Sequence, residues 1–427
     1  MSELALAAGI TRIDTGALPT DWKAMQLRDF CSFVQGGRLG LTKQDHYRSS
    51  GVPAFSAAGQ DGYVDVVEFR DTDAVILSAI GANCGRCFLA TGNWTTLANV
   101  QVIIPRPSDA IAPFLHYRVN RDDYWPRSGS AQPFIKPSDI RSCWVALPPV
   151  PQQAAIAKVL DTLDTAIHET EAIIAKLKAV KQGLLHDLLT RGIDANGELR
   201  PPQSEAPHLY KQSPLGWIPK DWTYKPFGDL CESSAFGPRF PSDAYDENGP
   251  LATLRTTDMD DEGNISLSTM PRAAIAPSVF ADHLLRPGDL VISRSGTCGV
   301  TGVFAGHDIP VVPGAFLIRF RMRDIRLNRF YRRYFNSSQG RPYLDRLAVG
   351  GVQKNIKGSD VLCLLVPVPS PEEAIGIAER IESIEHDIES NRQLLTKLTL
   401  QKAGLMDDLL TGRVRVTPLL TTTRGTS

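Results

Sequence analysis

The chain has 427 residues, 42% apolar and 22% charged; it is too long for one ordinary core, and roughly two to four folded units are expected. No run approaches the roughly 18 apolar residues needed to cross a membrane, and Met1–Arg12 lacks the basic and apolar segments of a secretory signal, so a cytoplasmic protein is expected. A net charge of −1 argues against a polycation that grips nucleic acid unaided, but it leaves room for a reader that borrows phosphate grip from partners.

The first marked segment in the chain is Gly16-Ala17-Leu18-Pro19-Thr20-Asp21-Trp22, which returns as Gly216-Trp217-Ile218-Pro219-Lys220-Asp221-Trp222. A middle region of about 25–130 follows and carries Cys84-Gly85-Arg86-Cys87. This CxxC invites a zinc or redox reading, but a structural zinc site needs about four ligands. The second copy aligns Cys298 with Cys84 but Thr301 with Cys87, so the segment reads as a strand-end turn. The seven cysteines are odd in number and scattered, as expected of reduced thiols. Next comes Gln132-Pro133-Phe134-Ile135-Lys136-Pro137-Ser138-Asp139, repeated as Gln353-Lys354-Asn355-Ile356-Lys357-Gly358-Ser359-Asp360. An apolar strand with a proline-rich exit closes each copy, Leu147-Pro148-Pro149-Val150-Pro151 and Val366-Pro367-Val368-Pro369. The offset between copies is 200 at the start and 221 at the end, so the second holds about twenty extra residues in its middle. The ends of the copies are alike and the middles, about 25–130 and 225–350, are not. One scaffold carries two different inserts.

A long helix is predicted after each exit, over 152–190 and 373–411. Ile156, Leu160, Leu163, Ile167, Thr170, Ile174, Leu177, Lys181, Leu184 and Leu188 are spaced four and three apart, the seam of a coiled coil. Adding 221 gives Ile377, Ile381, Ile384, Ile388, Asn391, Leu395, Leu398, Lys402, Leu405 and Leu409, with polar residues at the same two steps. Each helix would be roughly 57 Å long. Two separate amphipathic helices are the competing reading, although these would show a wider stripe and a 3.6-residue period. The 194–215 linker, rich in Pro, Ser and Gln, could stretch some 70 Å and permit a parallel pair. An antiparallel pair is the simpler expectation. The helix ends are also alike, with Gly183-Leu184-Leu185-His186-Asp187-Leu188-Leu189-Thr190 against Gly404-Leu405-Met406-Asp407-Asp408-Leu409-Leu410-Thr411.

Two variable domains, each followed by a repeated long helix, resemble the specificity subunits of type I restriction–modification enzymes. The likeness covers about Leu18 to Val414 and rests on the Pro-x-Asp-Trp opening, the Gln-x-x-Ile segment, the proline exit and the Leu-Leu-Thr helix end. Gln152-Gln153 and Glu372-Glu373 replace the commoner Glu-Gln of that family, at a position expected to cap a helix. The resemblance implies a mixed α/β (α+β) fold with an internal pseudo-two-fold repeat: two target-recognition domains, at 1–151 and 216–371, separated by an antiparallel two-helix coiled coil. The spacer helices would be 152–193 and 372–414, joined through the 194–215 linker, with 415–427 a disordered tail. It also implies that each domain reads half of a bipartite site in double-stranded DNA while the helices set the gap. Two methyltransferase subunits would dock on the helices, and restriction–motor subunits could join. S-adenosylmethionine, ATP and Mg²⁺ would be used by those partners, with no cofactor or metal on this chain and no catalytic residue. In agreement, the sequence has no Asn/Asp-Pro-Pro-aromatic motif, no phosphate-binding Gly-x-x-x-x-Gly-Lys-Ser/Thr loop and no His-x-x-x-His pair. A coiled-coil scaffold that binds proteins without DNA specificity is the alternative.

Base reading calls for Arg or Lys against guanine and Asn or Gln against adenine, carried on loops of a rigid domain. Gly36-Gly37-Arg38 and Gly237-Pro238-Arg239 keep an Arg at matching places. Leu254-Arg255-Thr256-Thr257 looks like a strand end carrying donors, with Phe55-Ser56-Ala57 and Gln60 its approximate counterpart. Leu77-Ser78-Ala79-Ile80-Gly81 matches Ile292-Ser293-Arg294-Ser295-Gly296, so the strand is shared and the charged tip is not. The glycine-rich loops Arg127-Ser128-Gly129-Ser130 and Gly350-Gly351-Val352-Gln353-Lys354 are candidates for phosphate contacts. The candidate DNA-binding residues are therefore Arg38, Lys43, Ser56, Gln60, Arg127, Ser128, Gln132, Arg239, Arg255, Thr256, Arg294, Ser295 and Lys354.

Overall fold

The computed structural model describes residues 18–129, 131–350 and 354–422. The chain divides into two compact units, 1–171 with 393–427, and 172–392. Each holds a mixed α/β domain and one end of each long helix.

The first unit is organised by the strand Ala74–Ser78, apolar through Leu77 and buried at every position, as a strand covered on both faces requires. It sits third in a four-stranded antiparallel sheet, in the order Cys31–Gln35, Val100–Pro105, Ala74–Ser78, Cys87–Ala90. Ile76 lies opposite Val102 on one neighbour and Phe88 on the other. A three-stranded sheet places Val52–Ser56 between Gly59–Val64 and Thr95–Thr96, the last pairing being parallel. Lys23–Gln26 and Trp144–Leu147 pair as a ribbon that joins the two ends of the domain.

The second unit repeats this order. Its four-stranded sheet runs Cys231–Phe236, Leu317–Met322, Leu290–Ser293, Thr301–Val303; its three-stranded sheet runs Arg272–Ala273, Leu251–Leu254, Val311–Pro313; and its closing ribbon is Thr223–Pro226 with Leu365–Val368. The extra residues lie between Leu251–Leu254 and Leu290–Ser293, a connection about twice as long as its counterpart. A hairpin, Tyr210–Ser213 with Gly216–Pro219, precedes the second Asp-Trp.

The long helices span Val150–Arg191 and Pro371–Thr411, each starting two residues before the predicted bound, where a proline suits the first turn. Within the first unit, Ile156 and Leu160 share a core with Leu409 and Leu410; within the second, Leu188 and Leu189 share one with Ile377 and Ile381. The start of one helix thus meets the end of the other in both units, which is antiparallel pairing. Ile156, Leu160, Ile174, Leu188, Ile377, Ile381, Ile388 and Leu409 are buried. Leu163, Ile167, Leu177, Leu184, Ile384, Leu395, Leu398 and Leu405 are half-buried. The polar steps are satisfied: the Thr170 hydroxyl donates to the Ala166 carbonyl at 2.7 Å, and Asn391 Nδ2 to the Asp387 carbonyl at 2.8 Å. Lys402 pairs with Asp164, and Lys181 pairs with Glu385 at 3.0 Å. Both lysines and both acids are related by the 221-residue offset, so the same interhelical ion pair is made twice.

Two expectations are corrected, the helix caps and the disordered start of the tail. Gln152 and Glu373 do not cap their helices. Gln152 Nε2 donates to Asp21 at 2.8 Å, and Arg415 also binds Asp21. Glu373 takes the Arg200 guanidinium and the Ile193 N–H, at 2.9 Å for the latter, with Asp221 3.5 Å from Arg200. An Arg just beyond one helix end is therefore tied to the Asp of the Asp-Trp motif and to the start of the other helix. The Trp follows suit: a Cβ on Gly412 (φ +77°) would fall 3.2 Å from Trp22, and one on Gly192 (φ +64°) 2.8 Å from Trp222. The 194–215 linker is structured, through Arg200, the hairpin and Tyr210, whose hydroxyl donates to the Pro201 carbonyl at 2.6 Å. The tail is likewise ordered at its start: Val416 is buried in the first core, and 417–422 is helical. Residues 423–427 lie outside the described residues.

Candidate nucleic-acid interface

In each unit the repeated isoleucine is the anchor. Ile135 and Ile356 are buried in the two cores, and their N–H groups donate to the carbonyls of Ala79 (3.0 Å) and Arg294 (2.9 Å) just past the central strand. The preceding residue closes a small bridge, Phe134 with Ser128 and Asn355 with Val349. The same residue therefore comes to the rim of each domain, as Phe134 in one and Asn355 in the other. Gly36 and Gly237 bring the end of the first sheet strand to this rim. A Cβ on Gly36 would lie 2.4 Å from Val100 Cγ2, and one on Gly237 2.1 Å from the Gly314 carbonyl, so both positions need glycine for close approach. A second strand connection delivers Asn99 (φ +68°) to Ala79, and Phe316 to Arg294, through matching backbone bonds of 3.1 and 2.8 Å.

The backbone frame is shared and the side chains are not. The second unit has a cleft of about 490 Å³ lined by Phe236, Pro238, Arg239, Arg294, Phe316 and Asn355. Phe236 is 62% exposed and Phe316 48%, unusual for apolar rings without a partner. Arg294 Nε donates to Asn355 Oδ1 at 3.1 Å, and its guanidinium carbon lies 5.7 Å from the Phe236 ring centroid. The first unit presents Gln35, Ala79, Ile80, Asn99 and Phe134 at the equivalent places, with Ile80 and Phe134 both partly exposed.

The structure gathers some predicted residues here and sends others elsewhere. Arg239, Arg294, Ser295 and Lys354 lie at the second rim, Ser295 mostly buried and Lys354 exposed. Arg38, Arg127, Ser128 and Gln132 lie at or beside the first. Arg38 is exposed but leans on Glu68 (3.4 Å) and Phe69, and Arg127 covers Gly85. Gln60 is exposed on the three-stranded sheet and Thr256 is half-buried. Three candidates are held by neighbouring acids. Ser56 is buried and donates to Asp61 at 2.7 Å, where Lys43 and the Tyr47 hydroxyl also bind. Burial pushes Asp61 up, but these three donors outweigh it and hold its pKa below the usual carboxylate value. Lys43 is thereby tied to Asp61. Arg255 lies across its own turn, with bonds of 3.1 and 2.7 Å to Asp258 and 2.8 Å to the Thr269 carbonyl. Asp258 behaves as Asp61 does, burial raising its pKa and Arg255 and Thr269 lowering it further. Ser130 and Gly351–Gln353 lie outside the described residues. Sequence reasoning missed Phe236, Phe316 and Asn355, although the Phe134/Asn355 difference inside a repeated motif was visible.

Two other features do not fit nucleic acid. A larger cavity of about 860 Å³ lies within the second unit, lined by Asp261, Glu262, Glu385 and Glu389 as well as Lys181 and Arg333, and these two cations are already paired with its acids. Cys84 and Cys87 are buried, their thiols facing the Ala79 and Val119 carbonyls at 3.4 and 3.8 Å, and burial pushes Cys87 up to about 12. Among the described residues no group of three or more His, Cys, Asp or Glu side chains could hold a metal ion, and no helix is long and apolar enough to cross a membrane.

One frame used twice with different faces defines a two-site recognition protein. The family model of the type I restriction modification DNA specificity domain matches residues 19–179 and 219–400, and the chain belongs to that family. It is a specificity subunit of the type I restriction–modification kind, a class that recognises DNA. It is 23% identical to the type I restriction enzyme MjaVIII specificity subunit of Methanocaldococcus jannaschii over 93% of this chain and 94% of that one. It is also 23% identical to the putative MjaX specificity subunit of the same organism, covering 95% and 96%. The fold is shared with the S subunit of the M. genitalium type I restriction-modification system, at a TM-score of 0.60, 15% identity and coverage of 92% and 96%.

Proposed function

We propose that each unit reads one half of a bipartite DNA site at the rim described above, that the paired helices fix the gap, and that the chain carries no catalytic group or cofactor of its own. The carrying observation is the identical backbone frame that presents Arg294, Asn355 and two open phenylalanines in one copy and Ala79, Ile80 and Phe134 in the other. Large apolar side chains are left exposed at this place in both copies, Phe236 and Phe316 in one and Ile80 and Phe134 in the other. On this reading 1–151 and 216–371 are the reading domains, 152–193 and 372–414 the spacer helices, and 194–215 and the residues after 414 the ties that fasten them.

The chemistry belongs to partners in the same cytoplasmic complex. Two methyltransferase subunits dock on the helices and bring S-adenosylmethionine; motor–nuclease subunits using ATP and Mg²⁺ join the restricting form. The exposed Ile173 and Leu394, related by the 221-residue offset, supply one apolar contact for each methyltransferase copy. A protein-binding scaffold without DNA specificity is not favoured, given the family match.

Exchange of residues 25–130 for the matching insert of a related subunit tests the reading. Methylated adenines mapped in the host genome should show one half-site changed, with the other half and the gap kept, because contacts in separate half-sites contribute nearly independently. A change in both half-sites, or in neither while methylation continues, would overturn it.

A further inference from the structure

We propose that Arg294 reads a guanine in the half-site bound by the second unit, with Asn355 and Phe236 as positioning residues. This rests on the DNA-reading assignment above and adds a base and a side chain to it.

Guanine shows two acceptors, O6 and N7, in the major groove, and a guanidinium that offers two parallel N–H donors fits them. Three other arginines at or near the rims do not offer such a fixed pair. Arg255 is occupied by Asp258 and the Thr269 carbonyl, and Arg38 leans on Glu68. Arg239 has no hydrogen-bond or ion-pair partner among the described residues, which suits a phosphate more than a base edge. Arg294 differs from all three. Its Nε is bound at 3.1 Å by Asn355 Oδ1, and its plane is steadied by the Phe236 ring. Among the described residues no partner takes Nη1 or Nη2, so the terminal edge, with its two donors, is open at the cleft. The side chain is half-buried, and its backbone is locked on both sides by the bonds to Phe316 and Ile356. Such a group loses little freedom on binding, the condition under which a bidentate contact discriminates well.

The first unit holds the control. At the equivalent backbone position it has Ala79, which is buried, and Phe134 stands where Asn355 would support an arginine. No guanidinium can occupy that point, so the guanine contact belongs to one half-site only.

The experiment uses the full chain with its methyltransferase partners and reads the methylated motif by sequencing modified adenines. The insert exchange above first assigns each half-site to its unit. Arg294→Ala should then relax one guanine position in the second half-site, with methylation of the former target slowed on the order of 10- to 100-fold. The first half-site and the gap should be unchanged. Arg294→Gln should move that position towards adenine, and Asn355→Ala should weaken the guanine preference less than Arg294→Ala does. The proposal is overturned if the guanine persists in Arg294→Ala, if the second half-site holds no fixed guanine, or if all targets weaken equally. It also falls if every Arg294 variant, folded by its thermal transition, loses methylation altogether. Failure of the insert exchange would instead remove the DNA-reading assignment itself.

Discussion

The Arg200–Glu373 pair offers a test of what fastens the second reading domain to the helices. Both side chains are under 10% exposed, at 8% and 9%, and Glu373 accepts from Arg200 and from the Ile193 N–H. Replacing Glu373 with Ala leaves a buried guanidinium with only the Arg191 carbonyl at 3.1 Å and Asp221 at 3.5 Å. Removal of one partner from a buried pair costs about 3–5 kcal/mol. For a unit of this size each kcal/mol moves the melting temperature by roughly 2–4 °C, so the second unit should melt on the order of 10 °C lower. Glu373→Gln rebuilds the first unit's arrangement, where Gln152 meets Asp21 and Arg415, and should cost about 1–2 kcal/mol. The double change Arg200→Met with Glu373→Met should recover much of the loss, since it leaves no orphaned charge. Calorimetry gives the transition, and amide exchange at Ile193 assigns it to this unit. The reasoning is refuted if Glu373→Ala melts within about 2 °C of the parent, or if the double variant is as unstable as the single one.

Other consequences are open to measurement. Seven residues inserted at matched places in both long helices keep the seam, add roughly 10.5 Å, and should lengthen the unread gap by about three base pairs; an unchanged gap in an active complex would show that the helices are not the spacer. Ile173→Asp and Leu394→Asp should each leave the melting curve intact and weaken methyltransferase assembly by roughly tenfold, read by analytical ultracentrifugation. The folded-state pKa of Asp258 lies below its unfolded value of about 3.8, so its stabilisation is present at neutral pH and is lost as pH falls through the folded value. Asp258→Asn should therefore flatten stability below about pH 4, with acid titration of the Arg255 amide signal as the readout.

The parts of the fold that repeat are legible in the sequence itself, because two copies of a pattern check each other. The seam and its two polar steps are local and periodic. Their partners are hidden: nothing in the chain announces that Lys402 meets Asp164, since the pairing register is set by tertiary packing across more than half the sequence. The rim shows the same limit. Arg294 stands out as a charged tip on a shared strand, whereas Asn355 gains meaning only when folding brings it beside Arg294. Ser56 and Arg255 mislead for one reason. A polar residue at a strand end looks available until a buried acid, Asp61 or Asp258, is found to claim it. The tail looks polar and loose, yet Arg415 and Val416 complete a clamp whose other members, Asp21 and Gln152, lie more than 250 residues earlier.

That clamp bears on the order in which the protein can fold as it leaves the ribosome. The first domain closes on Leu409, Leu410 and Val416, and Trp22 rests against Gly412. That side of its core is covered only after Leu409 to Val416 have emerged. The second unit, 172–392, already has all its residues by then. The N-terminal domain is made first and finished last, and during that interval its apolar surface is exposed to whatever surrounds the nascent chain. A chain truncated shortly before Leu409 would lack three buried members of the first core.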